Sequence, residues 1–327
     1  MHLLPKALII GIMSAIPMAS ANAEYPTRPI SMIVGYPAGG YVDAVARIVA
    51  AKMSDDLGQQ VVIINRAGAG GNIGVQALLR SDPNGYTIMI HGVSSMATHS
   101  VLFSEDERSQ LPEMEVAAVV ASTPGVITVP QSLGVKDFKS FVELVRKEHG
   151  KNNYGTPGIG TPSYFWSIEL IRSEKLEVSH VPFKGGAAAM QELMAGRISW
   201  TFDTPIGSVP AIQTGKAVPI AVVSPKRIAV LKDVPTIAEV GLPHLADKVS
   251  TLFILAPAKT DKTTIQRLNA AFHKVMLDRQ FIDRMESSGS FFPIGPHTPE
   301  QSQKLAITDY ESWFRMAKDA KDTPKKP

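Results

Sequence analysis

Pro29 to Asp56 reads PISMIVGYPAGGYVDAVARIVAAKMSDD. Ile30, Met32, Ile33 and Val34 form a mostly apolar run suited to a buried strand. The turn Tyr36-Pro37-Ala38-Gly39-Gly40-Tyr41 follows, and Val45, Ile48, Val49, Met53 and Leu57 then recur at helical spacing. The order is strand, glycine turn, helix. The first N–H groups of a helix have no internal acceptor, and the aligned peptide dipoles add partial positive charge there. Adjacent glycines let the main chain take positive φ and remove the Cβ atoms that would hold a ligand away. Such a turn can seat an anion. Taken alone, such a turn is more often a tight connection that binds nothing, so the rest of the chain has to decide.

Upstream, Met1 to Ala23 combines a short basic head (His2, Lys6), an apolar stretch from Ala7 to Ile16 and the small residues Ala19 to Ala23. These are the marks of a secretory signal peptide, with cleavage expected before Glu24. The apolar stretch is shorter than the roughly 20 residues that span a bilayer. Zero cysteines exclude disulfides, a thiolate nucleophile and a Cys-ligated metal. A net charge of +3 from interspersed acidic and basic residues gives no nucleic-acid footprint.

Downstream, the pattern repeats. Val61 to Ile64 reads as a second buried strand, followed by the glycine-rich turn Asn65 to Gly74 and a helix through Val75, Leu78 and Leu79. Ile73 stands where a dinucleotide fingerprint needs its third glycine. Tyr86 to Ile90 is a third strand, running into the small hydroxyl-bearing loop His91-Gly92-Val93-Ser94-Ser95. Val116 to Ala121 and Val126 to Val129 are strands broken at Ser122 to Gly125, where a first crossing between lobes is expected. Tyr154-Gly155-Thr156 then leads through the turn Pro157 to Ser163 into a helix, Val178 to Pro182 leads to Phe183-Lys184-Gly185-Gly186, and Ile198 to Phe202 leads to Asp203-Thr204-Pro205. A second crossing is expected between Asp247 and Thr251, before the strand Leu252 to Leu255. An amphipathic helix through Ile265, Leu268, Phe272 and Val275 should cover the outer face of the first sheet. Thr298, Pro299 and Gln301 mark the capping box of a last helix, which carries Leu305, Ile307, Tyr310, Trp313 and Phe314.

Strands alternating with helices imply an α/β fold with mostly parallel sheets, and ligands in such sheets sit beyond the carboxyl ends of the strands. The expected division is a signal peptide at 1–23, lobe I at 24–123 with 249–327, and lobe II at 124–248. Two lobes joined by two crossings can hinge around a ligand.

The motifs Tyr25-Pro26-Thr27-Arg28-Pro29-Ile30, Tyr36-Pro37-Ala38-Gly39-Gly40 with Asp43, and Asn65-Arg66 with Gly68 to Gly74 are similar to the N-terminal signatures of the Bug family. Those are periplasmic solute-binding proteins of tripartite tricarboxylate transporters. Asp82-Pro83-Asn84-Gly85, Tyr154 to Gly158, His180 to Gly186, Phe202-Asp203, Asp233-Val234-Pro235-Thr236, Leu255-Ala256-Pro257 and Thr298-Pro299-Glu300 extend the resemblance in order over nearly the whole mature chain.

The resemblance implies a Venus flytrap fold and a soluble, monomeric periplasmic receptor. Such a receptor delivers a small carboxylate to the large and small membrane subunits of a transporter, without a cofactor or metal. It also implies that the turn matching Tyr36 to Asp43 seats the ligand carboxylate on main-chain N–H groups, opposite turns matching Tyr154 to Ser163 and Phe202-Asp203. The candidate ligand-binding residues are therefore Tyr36, Pro37, Ala38, Gly39, Gly40, Tyr41, Val42, Asp43, His91, Ser94, Tyr154, Thr156, Gly158, Ile159, Gly160, Thr161, Ser163, Lys184, Phe202 and Asp203.

Two departures from the family pattern bear on the ligand. Gly39-Gly40-Tyr41-Val42-Asp43 stands where relatives often have a third glycine and a Thr or Ser before the aspartate. A hydroxyl donor is lost and a phenol gained, which favours a less polar or aromatic acid if Tyr41 faces the ligand; facing outward or filling space is the competing role. Thr251-Leu252-Phe253 replaces an aromatic pair ending in glycine. Asp203 suits a ligand hydroxyl or amine, or its own helix as cap. Asp43 suits the helix start and glycine loop, Lys184 an anion or solvent, and His91 a structural or a ligand contact. Catalysis has little support, because the chain has no Gly-x-Ser-x-Gly elbow, no His-Glu-x-x-His pair and no phosphate-binding loop. An exported sensor that reports its ligand to a signalling partner would share this sequence pattern.

Overall fold

The computed structural model describes residues 24–103, 109–287, 289 and 296–322. The expected signal peptide and the end of the Lys/Pro tail lie outside these residues. The first part of the chain forms β1 (Ile30–Val34), α1 (Tyr41–Leu57), β2 (Val61–Asn65), α2 (Asn72–Leu79), β3 (Thr87–Gly92), α3 (Val93–Phe103) and β4 (Met114–Thr123). The middle forms β5 (Gly125–Pro130), α4 (Phe138–Lys147), β6 (Asn153–Thr156), α5 (Pro162–Glu174), β7 (Ser179–Pro182), α6 (Gly186–Met194), β8 (Trp200–Asp203), α7 (Pro205–Gln213) and β9 (Ala217–Val223). The chain closes with β10 (Ser250–Pro257), α8 (Lys262–Leu277), α9 (Arg279–Ser287) and α10 (Pro299–Asp322).

Two five-stranded sheets result, in the orders β2-β1-β3-β10-β4 and β7-β6-β8-β5-β9. In the first, β1 pairs in parallel with β2 and β3, while β10 lies antiparallel between β3 and β4. In the second, β6 pairs in parallel with β7 and β8, while β5 lies antiparallel between β8 and β9. Each sheet thus has four strands running one way and one against them. The reversed strand is always the one that arrives from the other lobe. β5 follows β4 with only Pro124 between them, and β10 brings the chain back after β9. A strand that enters from the cleft starts where the parallel strands finish, so it has to run against them.

The alternation in β1 sorts its side chains onto two faces. Ile30, Met32 and Val34 pack with Val45, Val49 and Met53 of α1 and with Leu268 and Phe272 of α8, which covers this face as its apolar stripe requires. Ile33 faces the other way, with Val75 and Leu78 of α2 and Met96 and Ala97 of α3. β2 sits at the sheet edge, so Val61 is buried but Val62 is 44% exposed, and this strand is less buried than its apolar run suggests.

His91 to Ser95 is not a loop. His91 and Gly92 end β3, and Val93 opens α3 without an intervening turn. α10 begins with the expected reciprocal cap: Gln301 N–H donates to Thr298 Oγ1 at 3.3 Å and Thr298 N–H to Gln301 Oε1 at 2.9 Å. Its buried stripe is Ala306, Tyr310, Trp313 and Ala317, whereas Leu305 and Ile307 face out.

Candidate functional site

The carboxyl ends of both sheets face a cleft that encloses about 100 Å³ reachable by water centres. At roughly 10–15 Å³ per water on this measure, the cavity has room for a small organic acid or several waters. One wall is the β1–α1 turn, with Gly92, Ser95, Ser250 and Leu252. The other consists of the turns that open α5, α6 and α7.

The β1–α1 turn is built as its sequence suggests, with one refinement. Gly39 takes a positive φ of +84°, but Gly40, the residue before α1, is extended at φ −81°. A Cβ on Gly40 would meet only the Pro37 carbonyl, at 3.7 Å, so this glycine leaves open space beside the helix start. No side chain caps α1, and its first N–H groups have no acceptor within the helix.

Asp43 holds the turn from behind. Its carboxylate accepts from Gly39 N–H at 2.9 Å, from Arg47 Nε at 2.9 Å and Nη2 at 3.0 Å, and from Asn65 Nδ2 at 2.9 Å. Burial alone would push this carboxyl up, but the bonds from Arg47, Gly39 and Asn65 outweigh it and hold the group below its ordinary range. Asp43 does not line the cavity.

Tyr36, Pro37, Ala38, Gly40, Tyr41, Val42, Thr161, Ser163, Lys184 and Asp203 are brought together on the cavity wall. The other sequence candidates take supporting places. Tyr154 is stacked between His180 and Trp200, with ring centroids 4.9 Å away on each side, and Phe202 is buried against Trp166 and Trp200. The Thr156 hydroxyl pairs with His180 Nε2 at 2.8 Å, and the Gly158 N–H donates back to Thr156 Oγ1 at 3.3 Å. Gly158 also accepts from the Thr161 hydroxyl at 2.7 Å, and Ile159 and Gly160 reach across to lobe I. Ser94 is fully buried. His91 lies beneath Tyr36 with ring centroids 5.6 Å apart, and burial pushes its imidazole down to about 4. A Cβ on Gly71 would fall 2.4 Å from the His91 ring, so that glycine makes room for it.

Lys184 is exposed, and among the described residues Asp203 is the only other charged one lining the cavity. The remaining wall is largely apolar or hydroxyl-bearing. It includes Trp166, which sequence reasoning missed. Trp166 is 1% exposed and donates from Nε1 to the Lys248 carbonyl at 2.8 Å. A Cβ on Gly125 would lie 2.5 Å from its ring. One indole therefore touches the chain next to both crossings and also lines the cavity. Its one sequence signal is its place in the aromatic run Tyr164-Phe165-Trp166 one turn into α5. At the second departure, Ser250 and Leu252 line the cavity, Phe253 is buried in the core, and the Thr251 hydroxyl pairs with Ser122 at 2.9 Å, tying β10 to β4.

Residues 45–318 match the family model of the tripartite tricarboxylate transporter family receptor, TctC. The chain belongs to this family. A protein encoded in the tcbD-tcbE intergenic region of Pseudomonas sp. strain P51 is 31% identical over 317 residues, covering 95% of this chain and 93% of that one. The periplasmic binding protein BugD superposes with a TM-score of 0.85 at 29% identity, over 91% of this chain and 99% of its own. MatC from Rhodopseudomonas palustris, solved with bound malate, gives 0.84 at 26% identity, over 90% and 100%. The TctC fold thus extends across both lobes. Among the described residues no cluster of three or more metal-ligating side chains occurs, and no helix is long and apolar enough to cross a membrane.

Proposed function

We propose that this TctC-family chain is a periplasmic receptor that captures a small carboxylate between lobe I (24–123 with 249–327) and lobe II (124–248). It would then deliver the ligand, as a monomer, to the large and small membrane subunits of a tripartite tricarboxylate-type transporter. The observation that carries this reading is the cavity itself. It lies at the carboxyl ends of both sheets, between the uncapped start of α1 and the turn that opens α5. Helix starts facing a cavity suit an anion without any arginine, and among the described residues no arginine lines it. Malate in MatC is a carboxylate of this kind. The proposed seat comprises Tyr36 to Val42, with Thr161, Ser163 and Lys184 opposite. Asp43, His91, Ser94, Tyr154, Thr156, Gly158 to Gly160 and Phe202 hold it in place.

The walls narrow the ligand further. Tyr41, Val42, Trp166 and Leu252 offer aromatic and aliphatic surface where a citrate-sized polyanion would want donors. An acid with an aromatic or largely apolar body fits them best.

The test is a thermal-shift screen of the chain from Glu24 onward against aliphatic dicarboxylates, citrate, benzoate and terephthalate. A ligand that binds only the folded state raises the melting temperature by linkage. A shift with the aromatic acids and none with citrate supports the reading. A shift with citrate alone overturns the apolar-body assignment, and no shift with any carboxylate overturns the function. Mass spectrometry of the periplasmic form checks the expected start at Glu24.

A further inference from the structure

Asp203 ends β8 inside the cleft and is 7% exposed. Its Oδ1 accepts from Thr204 N–H at 2.7 Å, while its Oδ2 is buried and has no hydrogen-bond partner. Two backbones close in around the group. A Cβ on Gly186, at the start of α6, would stand 2.9 Å from Oδ1, and one on Gly207, in α7, would stand 2.3 Å from Oδ2. Only glycine at both positions leaves space for a carboxylate here. No cation shares the pocket's inner wall, since Lys184 is exposed and makes no ion pair among the described residues. Burial accordingly pushes the Asp203 carboxyl up to about 6.

A buried carboxylate oxygen without a donor keeps the desolvation cost of the group with nothing to offset it. Among the described residues no donor bonds Oδ2; the neighbouring Thr204 hydroxyl also bears on this carboxyl and is itself buried without another partner, so a donor on whatever fills the cavity would complete the site. A second ligand carboxylate against Asp203 would place like charges side by side, which disfavours ionisation of one of them. A hydroxyl or ammonium group would pair with Oδ2 directly. Building on the carboxylate reading above, we propose that the cleft selects acids bearing an O–H or N–H donor at the end away from the seated carboxylate, with Asp203 as the specificity-determining residue. The cavity then balances charge in two places: the helix start and Lys184 face the ligand's carboxylate, and Asp203 faces its donor.

Isothermal titration of the mature chain at pH 7.5 with two matched series tests this. One series is hexanoate, 6-hydroxyhexanoate, 6-aminohexanoate and adipate. The other is benzoate, 4-hydroxybenzoate, 4-aminobenzoate and terephthalate. In at least one series a donor-bearing acid binds tenfold or more tightly than both the unsubstituted acid and the diacid. Asp203→Asn keeps the side-chain volume and lowers that preference over the diacid at least tenfold. Equal affinity for donor-bearing and donor-free acids, or a preference that Asp203→Asn leaves intact, overturns the proposal while the carboxylate function stands. Failure of every acid to bind overturns both.

Discussion

The Thr98 hydroxyl, on α3 of one lobe, donates to the Gly160 carbonyl of the other. Nearby, the Gly70 backbone lies so close to the Ile159 carbonyl that a Cβ would reach 2.8 Å from it, and on the far side Gly185 abuts the Pro37 ring. Across the mouth of the cleft the lobes therefore meet through main chain at glycines and the Thr98 hydrogen bond, while further back Lys248 Nζ of one lobe donates to Ser312 Oγ of the other. Only contacts absent from the open state favour closure, so changes at the mouth should shift the balance.

Thr98→Val removes the donor and keeps the shape. A net hydrogen bond contributes about 0.5–1.5 kcal/mol, so the closed state of the unliganded variant should lose about 2- to 12-fold in population. Spin-label distances between the lobes check this, and an unchanged distance distribution would remove Thr98 from the closing contacts.

Gly70→Ala should impair closure more severely. Gly70 has a φ of +63°, and its new methyl would collide with backbone of the other lobe, which cannot rotate away. Gly134→Ala is the control, because Gly134 has a φ of +74° with nothing within 4 Å. Both variants bear the left-handed backbone cost of about 1–2 kcal/mol. Only Gly70→Ala is expected to weaken ligand binding, by tenfold or more in titration. Equal affinities for the two variants would mean that the lobes need not approach this closely.

His91 and Asp203 give stability opposite dependences on pH. The folded-state value of His91 is depressed to about 4 from 6.5, so below pH 6.5 the unfolded chain takes up a proton that the folded one refuses. Stability from this residue is complete above 6.5 and is lost as pH falls toward 4, by up to about 3 kcal/mol. Asp203 is raised to about 6 from 3.8, so its contribution is complete below 3.8 and is lost as pH rises toward 6. Urea unfolding between pH 4 and 6.5 should therefore change slope in opposite senses. Asp203→Asn leaves a curve that rises more steeply with pH than the parent's, and His91→Leu one that rises less. Parallel curves for all three proteins would show that neither group titrates as its burial dictates.

The strand–turn–helix at Ile30 to Leu57 was legible because period, glycine and helix start all agree there. The same holds for the Thr298 cap and for the sheet-covering face of α8. α3 was not legible. Val93 to Ala97, Thr98, Ser100 and Val101 are all buried, so the helix has no polar face and shows no amphipathic period. Trp166 was missed for a different reason. Its role comes from Gly125 and Lys248, which the two crossings bring to one place and which no local pattern connects. Tyr154 and Phe202 carry the family's cleft motifs, yet they serve the layer beneath the cavity. A motif fixes which turn reaches the cleft, while the alternation of the strand fixes which of its side chains does.

Gly40→Asp separates that turn's structural role from a ligand-seating one. Gly40 is extended, with open space at its Cβ, so the substitution forces no strained φ and no clash. It also stands at the N-cap of α1, where aspartate is among the preferred residues, so the fold should tolerate it or gain slightly. The added carboxylate would bond to the first-turn N–H groups and bring negative charge to the cavity wall, competing with a ligand anion for the same donors. The variant should therefore melt within a few degrees of the parent and bind carboxylates at least tenfold more weakly, with the deficit shrinking at high salt. A variant that folds well and binds as tightly as the parent would place the anion seat on the other lobe, at the start of α5.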